Sequence, residues 1–154
     1  MQARFKLIEH KQDCYINLPA SLAEQIPNST YNQQQICVPV KITLRQSTKH
    51  RVLHLGYTGG LSEREGEIEI SAAFAKSLQI HQSDFATVER ANTHIPPARK
   101  LRITVSKVND YQIVSVNKGQ IETQLLNQIQ VLFDGIVFPV VFGNHCVEFK
   151  YESS

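Results

Sequence analysis

One segment of this sequence is written twice. Ile16-Asn17-Leu18-Pro19-Ala20-Ser21-Leu22-Ala23-Glu24-Gln25-Ile26 lies over Ile68-Glu69-Ile70-Ser71-Ala72-Ala73-Phe74-Ala75-Lys76-Ser77-Leu78 at a constant offset of 52 residues. Apolar residues match at both ends, and Ala20 and Ala23 meet Ala72 and Ala75. In each copy an alternating, strand-like stretch runs into a short helix signal. Pro19 suits a first helical turn before Ile26, and Ser71 is a good N-cap for a helix over 72–78. With the flanking patterns, each copy reads strand, strand, short helix, strand. Two interleaved copies of that unit can close into a small barrel, which removes exposed sheet edges.

Period-two alternation supports the strands. Ile36, Val38, Val40, Ile42 and Leu44 share one face of a long strand, with Cys37, Pro39, Lys41, Thr43 and Arg45 between them. Pro39 has no N–H to give a ladder, so that strand is expected at an edge or bulged. The alternation recurs at Phe5/Leu7, Cys14/Ile16/Leu18, Leu53/Leu55, Ile68/Ile70, Leu101/Ile103/Val105 and Val147/Phe149/Tyr151. The repeat is spent by residue 91. Asn92 to Ala98, with paired prolines, reads as a linker. From Arg99 onward the pattern is strand, strand, helix, strand, strand, the helix running from Glu122 to Gln130. The expected class is mainly β with short helices. A small barrel subdomain over 1–91 and a linker over 92–98 lead to a second, smaller β subdomain over 99–154.

A chain of 154 residues buries roughly 70% of its unfolded surface and needs no disulfide or metal to hold a core. A net charge of +2 is too small to announce nucleic acid as a partner. Cys14, Cys37 and Cys146 are odd in number and widely spaced, which argues against a disulfide framework or zinc ribbon; they read as small buried hydrophobes. The opening residues hold no signal-peptide core, and the longest apolar run, Ile136 to Phe142, falls far short of the ~20 residues of a membrane helix. A soluble, cytoplasmic chain is expected.

Catalytic signatures do not emerge. Gly59-Gly60 and Gly66 lack phosphate-loop spacing, and no G-x-S-x-G elbow is present. The six histidines show neither i, i+4 pairing on a helix nor a carboxylate at metal spacing. His81-Gln82-Ser83-Asp84 reads as a helix-to-strand turn. Glu67 and Glu69 read as the wet face of the strand that holds Ile68 and Ile70. Two basic groups are left. Arg45, Lys49, His50 and Arg51 span a strand end and a turn, and Arg99, Lys100 and Arg102 enter the second subdomain. Such clusters can bind anionic headgroups at up to ~1 kcal/mol per residue. A linker between two lobes also borders their groove, where ligand sites form. Arg99, Lys100, Arg102, Lys49 and Arg51 are therefore the candidates for contact with an anionic lipid or a partner.

A resemblance sharpens this. A double-psi barrel of two strand-strand-helix-strand copies followed by a small β-barrel is the layout of N-domains of type II AAA+ ATPases. Val147-Glu148-Phe149-Lys150-Tyr151 resembles the close of that domain in valosin-containing protein. Three segments are more similar to the first N-domain of the peroxin-1 family of peroxisome-biogenesis ATPases. They are Asp13-Cys14-Tyr15-Ile16-Asn17-Leu18-Pro19, then Val52-Leu53-His54-Leu55-Gly56-Tyr57, then Leu125-Leu126-Asn127-Gln128-Ile129-Gln130-Val131 with Val137-Phe138-Pro139-Val140. Tyr57 stands where the family often has tryptophan, and Ser83-Asp84 where such barrels commonly carry Gly-Asp.

The resemblance implies a double-psi β-barrel for the first subdomain, over 1–91, and a small β-barrel for the second, over 99–154. It also implies a non-catalytic domain that binds a protein adaptor, a membrane receptor or a phosphoinositide surface. Its parent would act with peroxin-6 to extract the ubiquitinated import receptor, and would be recruited from the cytoplasm to the peroxisomal membrane. ATP and Mg would belong to ATPase modules absent from this sequence, so no cofactor is expected here. The other readings are the equivalent domain of a ubiquitin-segregase or membrane-fusion motor, and a small double-psi barrel enzyme.

Overall fold

The two copies of the repeat meet each other across a local two-fold axis. In the computed structural model, which describes residues 2–26, 37–46, 49–91 and 101–152, the first copy supplies β1 (Gln2–Ile8), β2 (Ile16–Leu18), α1 (Ala20–Ala23) and β3 (Val38–Gln46). The second supplies β4 (Lys49–Leu61), β5 (Glu67–Ser71), α2 (Ala72–Leu78) and β6 (Phe85–Arg90). The six strands close in the order β1-β5-β2-β4-β3-β6. Register shows the symmetry. Phe5 pairs with Ile68 in the parallel β1–β5 ladder, and its counterpart, Tyr57 with Ile16, pairs in the parallel β2–β4 ladder. Equivalent residues face one another on the axis itself: Asn17 opposite Glu69, 52 apart, and Ile42 opposite Val88.

The alternation lands as expected. Phe5, Ile16, Leu18, Val40, Ile42, Leu44, Leu55, Ile68 and Ile70 all point inward and are buried. Pro39 departs from its expectation. β3 is no edge strand, because it pairs with β4 and β6 on its two sides. The proline fits because it lies at the start of the strand, one residue before β6 pairing begins at Val40, and its carbonyl accepts from Ala91 N. Ile36 and the linker 92–98 lie outside the described residues.

The helices end where local chemistry stops them. Ser71 Oγ accepts from Phe74 N at 3.2 Å, capping α2. Gln79, at φ 60°, turns the chain out of the helix, with Ile80 N donating to Ala75 O and Gln79 N to Lys76 O. Pro19 caps α1 from outside rather than occupying its first turn.

After the barrel come β7 (Ile103–Val105), a turn of 3-10 helix at Val108–Asp110, α3 (Tyr111–Val116), α4 (Lys118–Gln128), β8 (Val137–Phe142) and β9 (His145–Tyr151). Among the described residues this lobe is a three-stranded sheet, β7-β9-β8, with helices against it, rather than a closed small barrel. The strand expected after β7 is helical: Ile113 and Val114 both pack on the core and override the strand preference of a β-branched stretch. α4 starts earlier than the expected Glu122 and stops at Gln128, two residues short of the expected Gln130. The Gln128 amide donates to Val141 O at 2.7 Å and accepts from Val141 N at 2.8 Å, standing in for a strand neighbour of β8. Ile129 is already extended there.

The lobes share one apolar core, and polar contacts tie α2 and the β1–β2 loop to the second lobe. Cys14 N donates to Gln128 O at 2.7 Å, the Tyr15 hydroxyl to Leu126 O at 2.9 Å, and Ser77 Oγ to the Glu148 carboxylate at 2.7 Å.

Candidate recognition surfaces

Two cavities carry the cationic residues of interest. The larger, about 1080 Å³, opens at the end of the barrel between the β3–β4 hairpin and the turn after α2. Arg45 and Lys49 reach it from the hairpin, Lys76 from α2 and His81 from the turn, above Leu7, Ile80 and Phe85. The turn is built as the sequence suggests. Asp84 is buried, its Oδ2 accepts from His81 N at 2.9 Å, and Asp84 N donates to His81 O at 3.0 Å. Gln46 Nε2 ties the hairpin to this turn, donating to Asp84 Oδ2 at 3.0 Å and to Gln79 O at 2.8 Å.

The second cavity, about 710 Å³, lies in the other lobe, with Arg102 and Lys118 around Tyr111, Val114, Ile121 and Phe149. The candidate residues therefore do not gather in one place. Lys49 and Arg102 line different cavities, and Arg99 and Lys100 lie outside the described residues. Arg51 is occupied structurally: its guanidinium donates to Leu78 O at 2.8 Å, at the carbonyl end of α2 where a cation is favoured. Sequence reasoning missed Lys76 and His81. They belong to the second copy of the repeat, and only barrel closure brings them beside the hairpin.

Glu69 corrects an expectation. It is 8% exposed rather than wet; one oxygen accepts from Asn17 Nδ2 at 2.9 Å and the other from Glu63 N at 3.0 Å. Gly60 makes room for this pair, since a Cβ there would come within 3.0 Å of Asn17 Cγ. The expected solvent face fails at this position because β5 sits between β1 and β2, at the two-fold axis, and the β4–β5 loop folds onto it through Glu63 N.

The cysteines divide. Cys14 is buried and Cys37 half-buried, but Cys146 is exposed, because Val147 and Phe149 take the inward positions of β9. Burial pushes the Cys14 thiol well above its ordinary value, with neighbouring Asp13 adding to the effect, and pushes Cys37 up to about 11. Among the described residues no group of His, Cys, Asp or Glu is placed to hold a metal ion, and no helix is long and apolar enough to cross a membrane.

The profile of the family described as peroxisome biogenesis factor 1, N-terminal, matches residues 99–154, which hold the whole described second lobe. The same similarity extends back through the barrel: the peroxisomal ATPase PEX1 of Komagataella phaffii is 26% identical over 130 residues, 80% of this chain. The chain is thus similar to the N-terminal region of the peroxin-1 family, its second lobe most directly. The peroxisomal ATPase PEX1 of Komagataella pastoris matches equally, at 26% over 130 residues, and that of Dictyostelium discoideum is 22% identical over 139 residues, 86% of the chain. This chain spans 11% of the length of each of these relatives. Its class is mainly β with short helices.

Proposed function

We propose that this domain is the recognition module of a type II AAA+ motor of peroxisome biogenesis. It binds a protein adaptor or membrane receptor, or a phosphoinositide surface, while the parent, working with peroxin-6, extracts the ubiquitinated import receptor from the peroxisomal membrane. The parent is recruited to that membrane from the cytoplasm. ATP and Mg act elsewhere in the parent, and this domain hydrolyses nothing.

The observation that carries the reading is the architecture of the matched region: a closed six-stranded barrel clasped to a second lobe, both similar to the N-terminal part of peroxisomal ATPases. Its ordered elements end in cationic, half-apolar cavities on the outside of the fold, which suits capture of a partner. The test is to delete the domain from the parent and measure two outputs side by side. ATP turnover of the assembled motor is expected to persist, while ubiquitinated receptor accumulates on peroxisomal membranes. Lost ATP turnover, or export that continues unchanged, would overturn the reading.

A further inference from the structure

We propose that the cavity at the barrel end binds an acidic peptide segment of a partner protein, with carboxylates at its rim and an apolar side chain on its floor. The inference rests on the reading of the chain as a recognition module and names the chemistry of what it recognises. Arg45 and Lys49 stand on the same hairpin, Lys76 on α2 and His81 on the following turn; all four are exposed. Among the described residues, none of Arg45, Lys49 and Lys76 has a carboxylate within 4.0 Å, whereas Lys11 and Lys150 do. The cavity's acidic residue, Asp84, does not neutralise them. It is buried, and its Oδ2 is committed to Gln46 Nε2 and His81 N.

The floor is apolar. Leu7, Ala72 and Ile80 line it, and Phe85 is 37% exposed at its edge, with the Arg4 guanidinium 5.0 Å from its ring centre. Cations around an apolar floor match a chain that carries both carboxylates and a hydrophobic anchor. An isolated phosphate fits less well. Phosphate sites converge backbone N–H groups at a helix N-terminus or a nest. Here α2 lies along the cavity side-on, lining it with Ala72 and Lys76 and with Gln79 just beyond its end, and Gln79 O is already taken by Gln46. The volume, about 1080 Å³, holds several residues of extended peptide.

The test titrates the whole chain with a short synthetic peptide of Glu and Asp around a central Leu-Phe pair, read by anisotropy and by amide chemical shifts. Controls are the Gln/Asn version of the peptide and phosphatidylcholine vesicles carrying phosphatidylinositol phosphate. The acidic peptide is expected to bind, to shift amides at 45–49 and 76–85, and to weaken at higher salt. Joint replacement Arg45→Glu, Lys49→Glu and Lys76→Glu should weaken it at least about tenfold, while Arg102→Glu with Lys118→Glu should not. Should the triple variant fail to fold, Lys76→Ala and Arg45→Gln are expected to weaken binding in steps.

Any of four results would overturn the assignment. One is no binding by the unaltered chain, and another is binding indifferent to the reversals. The third is vesicle binding lost in the triple variant without peptide binding, which would make the cavity a membrane site. Shifts confined to the second lobe would remove this cavity while leaving the recognition reading intact.

Discussion

The two lobes close a small core by different means. The barrel pairs every strand on both sides, so its backbone is satisfied by its own ladders. Among the described residues the second lobe has three strands, and it completes β8 with the Gln128 side chain and leans on α2 of the barrel. Its helices also leave Val108 at 87% and Val116 at 79% exposure, more than any large apolar residue of the barrel. Self-sufficiency in one lobe and dependence in the other make the barrel the scaffold.

The largest effect should come from cutting that dependence. Phe138 is fully buried in β8 and stacks on Phe149, 6.2 Å between ring centres. Phe138→Ala is expected to cost about 3–5 kcal/mol and, because the barrel's strands are paired within their own ladders, to melt the second lobe ahead of a little-shifted barrel. A calorimetric trace that keeps one transition, with both lobes shifted together, would break the comparison.

An intermediate effect is expected on the barrel's axis. Asn17→Ala leaves one oxygen of buried Glu69 without its donor and should cost about 1–3 kcal/mol in denaturant titrations. Glu69→Gln keeps a hydrogen-bonding amide there and should cost less. Equal losses would mean that the pair does not hold the axis.

The smallest effects set two tyrosines against each other. The Tyr15 hydroxyl joins the lobes, so Tyr15→Phe should cost about 1 kcal/mol. Tyr57 Oη is buried with no partner among the described residues, and its symmetry counterpart is Phe5. Tyr57→Phe should be neutral or stabilising by up to about 1 kcal/mol. Burial, with Cys37 next in effect, pushes Tyr15 up to about 12 from 10. The fold thus favours the protonated phenol, and its contribution is whole below pH 10 and declines as pH rises from there through about 12. A stability curve of the unaltered chain should fall across that window more than that of Tyr15→Phe.

These contrasts also show what was readable in the chain. Barrel strands announce themselves because one face is buried, and a period of two then follows from the pleat. The 52-residue offset was visible because both copies had to build the same strand-to-helix corner. The Asn17–Glu69 pair was not, since a glutamate flanked by isoleucines looks wet until the opposite copy is placed against it. α3 escaped for a related reason. Its β-branched residues favour strand locally, and only packing against the shared core makes it helical. In the cavity, Arg45 and Lys49 were legible as a cluster, but Lys76 and His81 join them only through closure of the barrel.

The most direct measurement is sedimentation of the purified domain with isolated peroxisomes, repeated after the membranes are stripped with protease. The account predicts association that exceeds binding to other organelles. Loss after stripping would point to a protein receptor, and salt-sensitive retention to lipid headgroups. A domain that stays in the supernatant with intact peroxisomes would contradict its assignment as the recognition module.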